Sequence, residues 1–234
     1  MTDQNDKDRD AVARFYARTA EGYDARYEAR EDDEQDEDRL ADLDEVADGI
    51  AGLVAGQTVL ELACGTGYWT EVLADHAGHV IATDINEAML DQARERGLPD
   101  DLVTFRQLDG LDLPADLVPD GVDRIGVVFI GFWWAHLTRA HQERLLAGLR
   151  KAVGKDVQLI VLDDEYVEGV SGTIARTDAQ GNTYQFVNTP DGERFELPKS
   201  YPTDSALRKR LANAAREIRV ARWDSCWVLT CRLK

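Results

Sequence analysis

The sequence predicts an α/β protein whose strands form one doubly wound, mostly parallel sheet. Three observations predict it: short apolar runs alternate with helical patterns, a glycine turn follows the first run directly, and 234 residues with 44% hydrophobic content suffice for one domain core.

The elements follow in order. Leu40, Leu43, Val46, Ile50 and Leu53 recur at three- and four-residue steps, the stripe of an amphipathic helix that stops near Gly52 to Gly56. Residues 58–63 form the first apolar run, and residues 80–83, 102–105, 125–130 and 157–162 repeat its length; such runs read as buried parallel strands. Between them, residues 69–74, 86–96 and 138–153 carry helical patterns, the last two with Asn86 and Thr138 as N-caps. Past Asp163 the chain turns to Gly, Thr, Asn and Tyr, with a hairpin turn at Asp191-Gly192. A helix over about 203–215 then precedes strands at 218–223 and 226–231, which bring the sheet to seven strands and close it as an antiparallel edge, with an antiparallel last strand.

Charge narrows the partners. A net charge of −18 repels phosphate backbones and anionic membrane surfaces, so neither nucleic acid nor a membrane is expected as a partner. Residues 1–48 hold 18 acidic and 7 basic side chains, and the run Glu31 to Asp38 reads as a solvated face rather than a calcium loop, which needs a glycine turn at fixed spacing. Cys64, Cys226 and Cys231 lack disulfide or metal spacing, so a reducing cytoplasm and no metal are expected. No signal-like segment or membrane-length apolar run is present.

In an open α/β sheet, ligands bind beyond the carboxyl ends of the strands. There Glu61-Leu-Ala63-Cys-Gly65-Thr-Gly67-Tyr-Trp69 leaves a strand, turns on glycine and enters a helix, aiming N–H groups at an anionic part of a ligand. Asp84, at the end of the next strand, stands where a carboxylate can accept both hydroxyls of a ribose. A dinucleotide would want Gly or Ala where Thr70 stands, and the Gly-Lys-Ser/Thr ending of an ATP loop is missing. An adenosine cofactor with a small carboxylate and no pyrophosphate fits these residues.

Residues 59–70 and 81–90 resemble the first and second motifs of the class I S-adenosylmethionine-dependent methyltransferases, with the likeness extending over residues 40–165. The resemblance implies a Rossmann-like methyltransferase fold, S-adenosyl-L-methionine as cofactor, and a division into an N-terminal helical lid with its acidic segment (1–38) and a cofactor-binding domain (39–234). It also implies residue roles. Glu61 orders the loop or meets the methionine amine, Ala63, Gly65, Gly67 and Trp69 belong to the loop at the methionine end, and Asp84 takes the ribose. Ile85 and Met89 flank adenine, Asp109 and Gly110 face its amine, and Phe129 lies under the methionine moiety. Tyr23, in Gly22-Tyr23-Asp24, resembles a family position near the cofactor.

Substrate-side candidates are Tyr16 in the lid and the cluster Trp133, Trp134 and His136 after the fourth strand. The two tryptophans can form an aromatic wall, and His136, with Tyr16, is the candidate for catalysis because an unperturbed histidine titrates near neutrality. The expected activity is methylation of an O, N or S atom of a small molecule such as a secondary metabolite, by a monomer or homodimer. Protein methylation and an inactive cofactor-binding scaffold are the alternatives.

Overall fold

A computed structural model describes residues 4–28, 30 and 34–234. Of the acidic run, Glu31, Asp32 and Asp33 lie outside the described residues. The chain opens with α1 (Gln4–Thr19), a 3₁₀ turn (Tyr23–Tyr27) and α2 (Glu34–Val54), which buries Leu43, Val46, Ile50 and Val54, much of the stripe expected from the sequence. The helix α2 runs through the expected lid boundary at 38/39 without a break.

The alternating part then builds the sheet: β1 (Thr58–Leu62), α3 (Tyr68–Ala74), β2 (His79–Asp84), α4 (Glu87–Glu95), β3 (Val103–Gln107), β4 (Ile125–Gly131), α5 (Arg139–Val153) and β5 (Gln158–Asp164). Next come the short strands β6 (Ile174–Thr177), β7 (Thr183–Asn188) and β8 (Arg194–Pro198), then α6 (Asp204–Leu211), β9 (Ala215–Arg222) and β10 (Cys226–Leu233). The main sheet has the order β3-β2-β1-β4-β5-β10-β9, and β6-β7-β8 form a separate antiparallel sheet.

Strand residues alternate between two cores because successive side chains point to opposite faces. Leu60, Leu62, Val128 and Ile130 pack with α5 and α6, whereas Val59, Val127 and Phe129 pack with α2 and α3. Two expectations are refined. β10 is not an edge strand: it lies between β5 and β9, antiparallel to both, so β9 is outermost and runs in the direction of β5. The hairpin at Asp191-Gly192 joins β7 to β8, and an unforeseen third strand, β6, completes the small sheet.

That small sheet carries α1. Val12 buries against Phe195 and Leu197, with Phe15, Tyr16 and Val187 around them. The Tyr184 hydroxyl donates to Asp8 at 2.9 Å, and Arg18 pairs with Asp191 and Glu193. The packing holds α1 over the carboxyl ends of β1, β2 and β4.

Candidate active site

β1 pairs with β2 on one side and β4 on the other, so the loops after β1 and β4 part at this point and leave a crevice. A cleft of about 770 Å³ opens there, floored by Ala63, Gly65, Asp84 and Gly131 and roofed by Arg9, Val12, Tyr16 and Tyr23. Two of its wall residues, Ala63 and Phe132, hold left-handed backbone at φ 56° without being glycine. Such strain is retained where the surrounding structure over-determines it, commonly at ligand sites.

The glycine loop is fixed from below and from the side. A Cβ on Gly67 (φ 83°) would stand 3.0 Å from the Cβ of Ala93, so only glycine lets the loop lie against α4. Arg96 donates to the Thr66 carbonyl (2.7 Å) and to Glu71 (2.7 Å), and it pairs with Asp24 of the 3₁₀ turn. Glu61 lies beneath the loop, 2% exposed, and takes the Thr70 hydroxyl at 2.6 Å. Burial, reinforced by nearby Asp84, pushes its pKa up to about 8 against the pull of that hydrogen bond.

Asp84 is held by its backbone neighbours. One oxygen accepts the Gly65 N–H (2.9 Å) and the other the Asn86 N–H (2.8 Å). Burial raises its pKa, and these N–H donors work against that rise. The Asn86 side chain makes no cap bond, unlike Thr138, which accepts the His141 N–H at 3.2 Å. Across the cleft, Asp109 accepts the Leu111 N–H (2.8 Å) and meets Arg9 of α1 at 3.3 Å.

Of the residues expected at the site, Tyr16, Tyr23, Ala63, Gly65, Asp84, Ile85, Met89, Asp109, Gly110, Trp133 and His136 line the cleft together. Glu61, Gly67, Trp69 and Phe129 do not: they form the layer beneath it, with Trp69 tilted against Phe129 at 5.6 Å between ring centres. Trp134 requires a correction. The 3₁₀ turn Trp134–His136 swings its indole away from Trp133 into the main core, where it is 1% exposed beside Leu62 and Leu207. Only Trp133 of the pair forms wall.

His136 also departs from its expected state. Its Nδ1 faces the Pro198 carbonyl at 2.8 Å, which can only accept, so Nδ1 carries the proton and Nε2 accepts the Tyr16 hydroxyl at 2.7 Å. Burial, with Lys199 nearby, pushes its pKa down to about 3. At neutral pH the ring is uncharged and a poor proton acceptor. Burial likewise raises the pKa of Tyr16.

Sequence reading missed several groups. Arg9, Val12 and His141 line the cleft. Lys199, 4% exposed, reaches Asp164 at 2.6 Å and Asp163 at 3.6 Å, and Arg26 reaches Asp164 at 3.5 Å. No local spacing announces them, because they come from the end of β8, the end of β5 and the 3₁₀ turn.

A methyltransferase-domain model matches residues 59–156, which contain the glycine loop, Asp84 and Trp133. The DhpI–SAM–HEP complex superimposes on the chain with a TM-score of 0.72 at 26% identity, over 99% of this chain and 100% of that one. The likeness to the class I S-adenosylmethionine-dependent methyltransferases thus rests on a matched domain over residues 59–156 and on a fold shared along nearly the whole chain. Magnesium protoporphyrin IX methyltransferase from Synechocystis PCC 6803, with a TM-score of 0.64 at 14% identity over 97% of this chain, shares its fold. Local similarity runs to demethylmenaquinone methyltransferase of Clavibacter sepedonicus (42% over 76 residues) and the ubiquinone/menaquinone C-methyltransferase of Cupriavidus taiwanensis (34% over 116 residues). This chain spans only 30% and 45% of those two proteins. Among the described residues, no helix is long and apolar enough to cross a membrane.

Proposed function

We propose that this chain transfers a methyl group from S-adenosyl-L-methionine to an O, N or S atom of a small molecule, with the cleft as the cofactor site. The residues fit the cofactor on one direct observation. A Cβ at Gly65 would project between the loop and the lid, with only the Tyr23 ring within 4.0 Å, so the cradle leaves room beside a buried carboxylate, Asp84. Asp84 would hold the ribose, Ile85 and Met89 the adenine faces, Asp109 the adenine amine, and Ala63 and Gly65 the methionine end. When bound, the cofactor supplies an electrophilic methyl on a positively charged sulfur, so the protein's task is alignment and exclusion of water.

The roof carries the small-molecule reading. Tyr16 and Tyr23 of the N-terminal segment, their rings edge to face at 5.9 Å, cover part of the cleft from above, which suits a small acceptor better than a folded protein. Residues 4–27, α1 with the 3₁₀ turn, then act as a lid that opens for exchange and closes for transfer. Three free, buried cysteines suit a reducing cytoplasm.

Calorimetry tests the reading. S-adenosylhomocysteine should bind and NAD should not. Hydrogen exchange in residues 4–27 should slow on binding, and equal exchange with and without ligand would remove the lid. Methylation of no small acceptor despite tight cofactor binding would leave the scaffold reading instead.

A further inference from the structure

On the face of the sheet that carries α5, exposed charge is sorted into two neighbouring rows of opposite sign. We propose that this face is the interface of a homodimer, in which α5 of each copy packs against residues 112–123 of the other. The proposal concerns assembly and stands apart from the methyl-transfer reading.

The order of elements across the face is the first ground. Leu111 and Leu117 of the β3–β4 connection share one core cluster with Leu145, Leu146 and Leu149 of α5 and with Leu207 and Leu211 of α6, so all three lie on the same side of the sheet. Arg106 of β3 donates to the Asp116 and Leu117 carbonyls at 2.6 and 3.0 Å, which holds the connection toward the β3 edge. α6 packs toward β9 at the opposite edge, and α5, which joins the central strands β4 and β5, lies between them. The connection and α5 each leave the carboxyl end of one strand and enter the amino end of the next. They therefore run side by side in the same direction.

Charge is the second ground. Residues 112–123 hold four carboxylates, Asp112, Asp116, Asp120 and Asp123, and no cation before Arg124. All four are exposed, and none forms an ion pair among the described residues. Arg144, Arg150 and Lys151 of α5, with Lys155 just past it, are exposed and equally without an ion pair among the described residues. Glu143, the acidic residue of α5, is taken by Arg210 at 3.0 Å. The two rows thus stand beside one another in one chain with their charges uncompensated.

A second copy of the chain satisfies both rows with one operation. Half a turn about an axis parallel to α5, passing between α5 and the connection, lays each aspartate row on the cation row of the other copy. Because both rows run from the carboxyl to the amino ends of the strands, the rotation keeps their sense. Asp112 and Asp116 then face the Arg144 part of α5, and Asp120 and Asp123 face Arg150, Lys151 and Lys155. Each contact is made twice, as a two-fold interface requires. Exposed Ala140 and Ala147 on α5, with half-buried Leu113, Val118 and Val122 on the connection, supply apolar area between the charges. A polyanion fits this face less well, since it would meet the aspartate row beside the cations on a chain of net charge −18. Exposed ion pairs contribute little singly, and their complementarity chiefly fixes partner and register, so the dimer is a concentration-dependent one.

Sedimentation velocity on the full chain over a concentration series provides the test, and a dimer should appear as concentration rises. Arg144→Glu with Lys151→Glu sets carboxylates against the aspartates, and Asp116→Lys with Asp123→Lys sets cations against α5. Each pair of changes should weaken self-association by about a hundredfold, the cost of like charges held face to face. Mixed together, the two variants should form a heterodimer, because the reversed α5 of one meets the reversed row of the other at one contact and the native rows meet at the second. Urea unfolding should match the parent for both. If either fails to fold, Lys151→Gln and Asp123→Asn, both at exposed positions, carry the same test with a loss of about tenfold or less. A monomer at every concentration, a dimer indifferent to these changes, or folded reversal variants that do not restore one another on mixing overturns the proposal. A monomer whose α5 cations bind a duplex DNA probe also overturns it and gives the face to a polyanion.

Discussion

Phe129 and Val12 both sit in apolar clusters, but their surroundings differ. Phe129 is fully buried in the middle of β4, between β1 and β5, among residues of α2, α3 and five other strands. Among the described residues Val12 packs on two buried partners, Phe195 and Leu197, and the rest of its helix is tied to the small sheet by Tyr184–Asp8 and the exposed Arg18 pairs. The cofactor half is held by close packing and strand ladders, and the cap by a small apolar contact edged with polar links. A region that must open is best fastened by contacts that are cheap to break, and exposed ion pairs contribute at most about 1 kcal/mol each.

The sharpest way to break this comparison is Phe129→Ala. It should cost about 3–5 kcal/mol of global stability, read from denaturant unfolding, because it empties the packed layer under the cleft. Next, Asp84→Ala should weaken S-adenosylhomocysteine by about 1–3 kcal/mol, since it removes a ligand-facing acceptor; unchanged calorimetric affinity would strip Asp84 of its role.

The third concerns pH. Glu61 has a folded pKa near 8, above its unfolded value, so the unfolded state loses its proton first and folding stability falls as pH rises between about 4.5 and 8. The slope from this group is at most about 1.4 kcal/mol per pH unit. Glu61→Gln, which can still accept the Thr70 hydroxyl, should flatten it, as measured by urea midpoints across that window. His136 acts with the opposite sign: its pKa is depressed, so its penalty grows as pH falls from about 6.5 toward 3. The smallest effect belongs to the cap. Arg18→Ala should cost less than about 1 kcal/mol globally yet speed hydrogen exchange in α1, whereas exchange in β1 and β4 should not change.

The site was legible in the sequence where neighbouring strand ends carry it. Gly65 and Asp84 close on one another because β1 and β2 are adjacent and in register, so a motif confined to residues 59–90 builds the floor of the cleft. Trp133 and Trp134 illustrate the limit. Both are large and apolar, and only the phase of the 3₁₀ turn between β4 and α5 sends one to the wall and the other to the core.

By itself, then, the sequence determined the order of strands and helices, the glycine loop and the ribose-facing carboxylate, because each depends on periodicity or on residues brought together by one βα step. Tertiary structure alone decided the insertion of β10 inside the sheet and the seating of α1 on the small sheet. It also decided the neutral Tyr16–His136 pair and the gathering of Arg26, Arg39 and Lys199 around Asp164. Those groups lie up to 183 residues apart in the chain, and their ionisation follows from burial and from one another's charge, which no local pattern encodes.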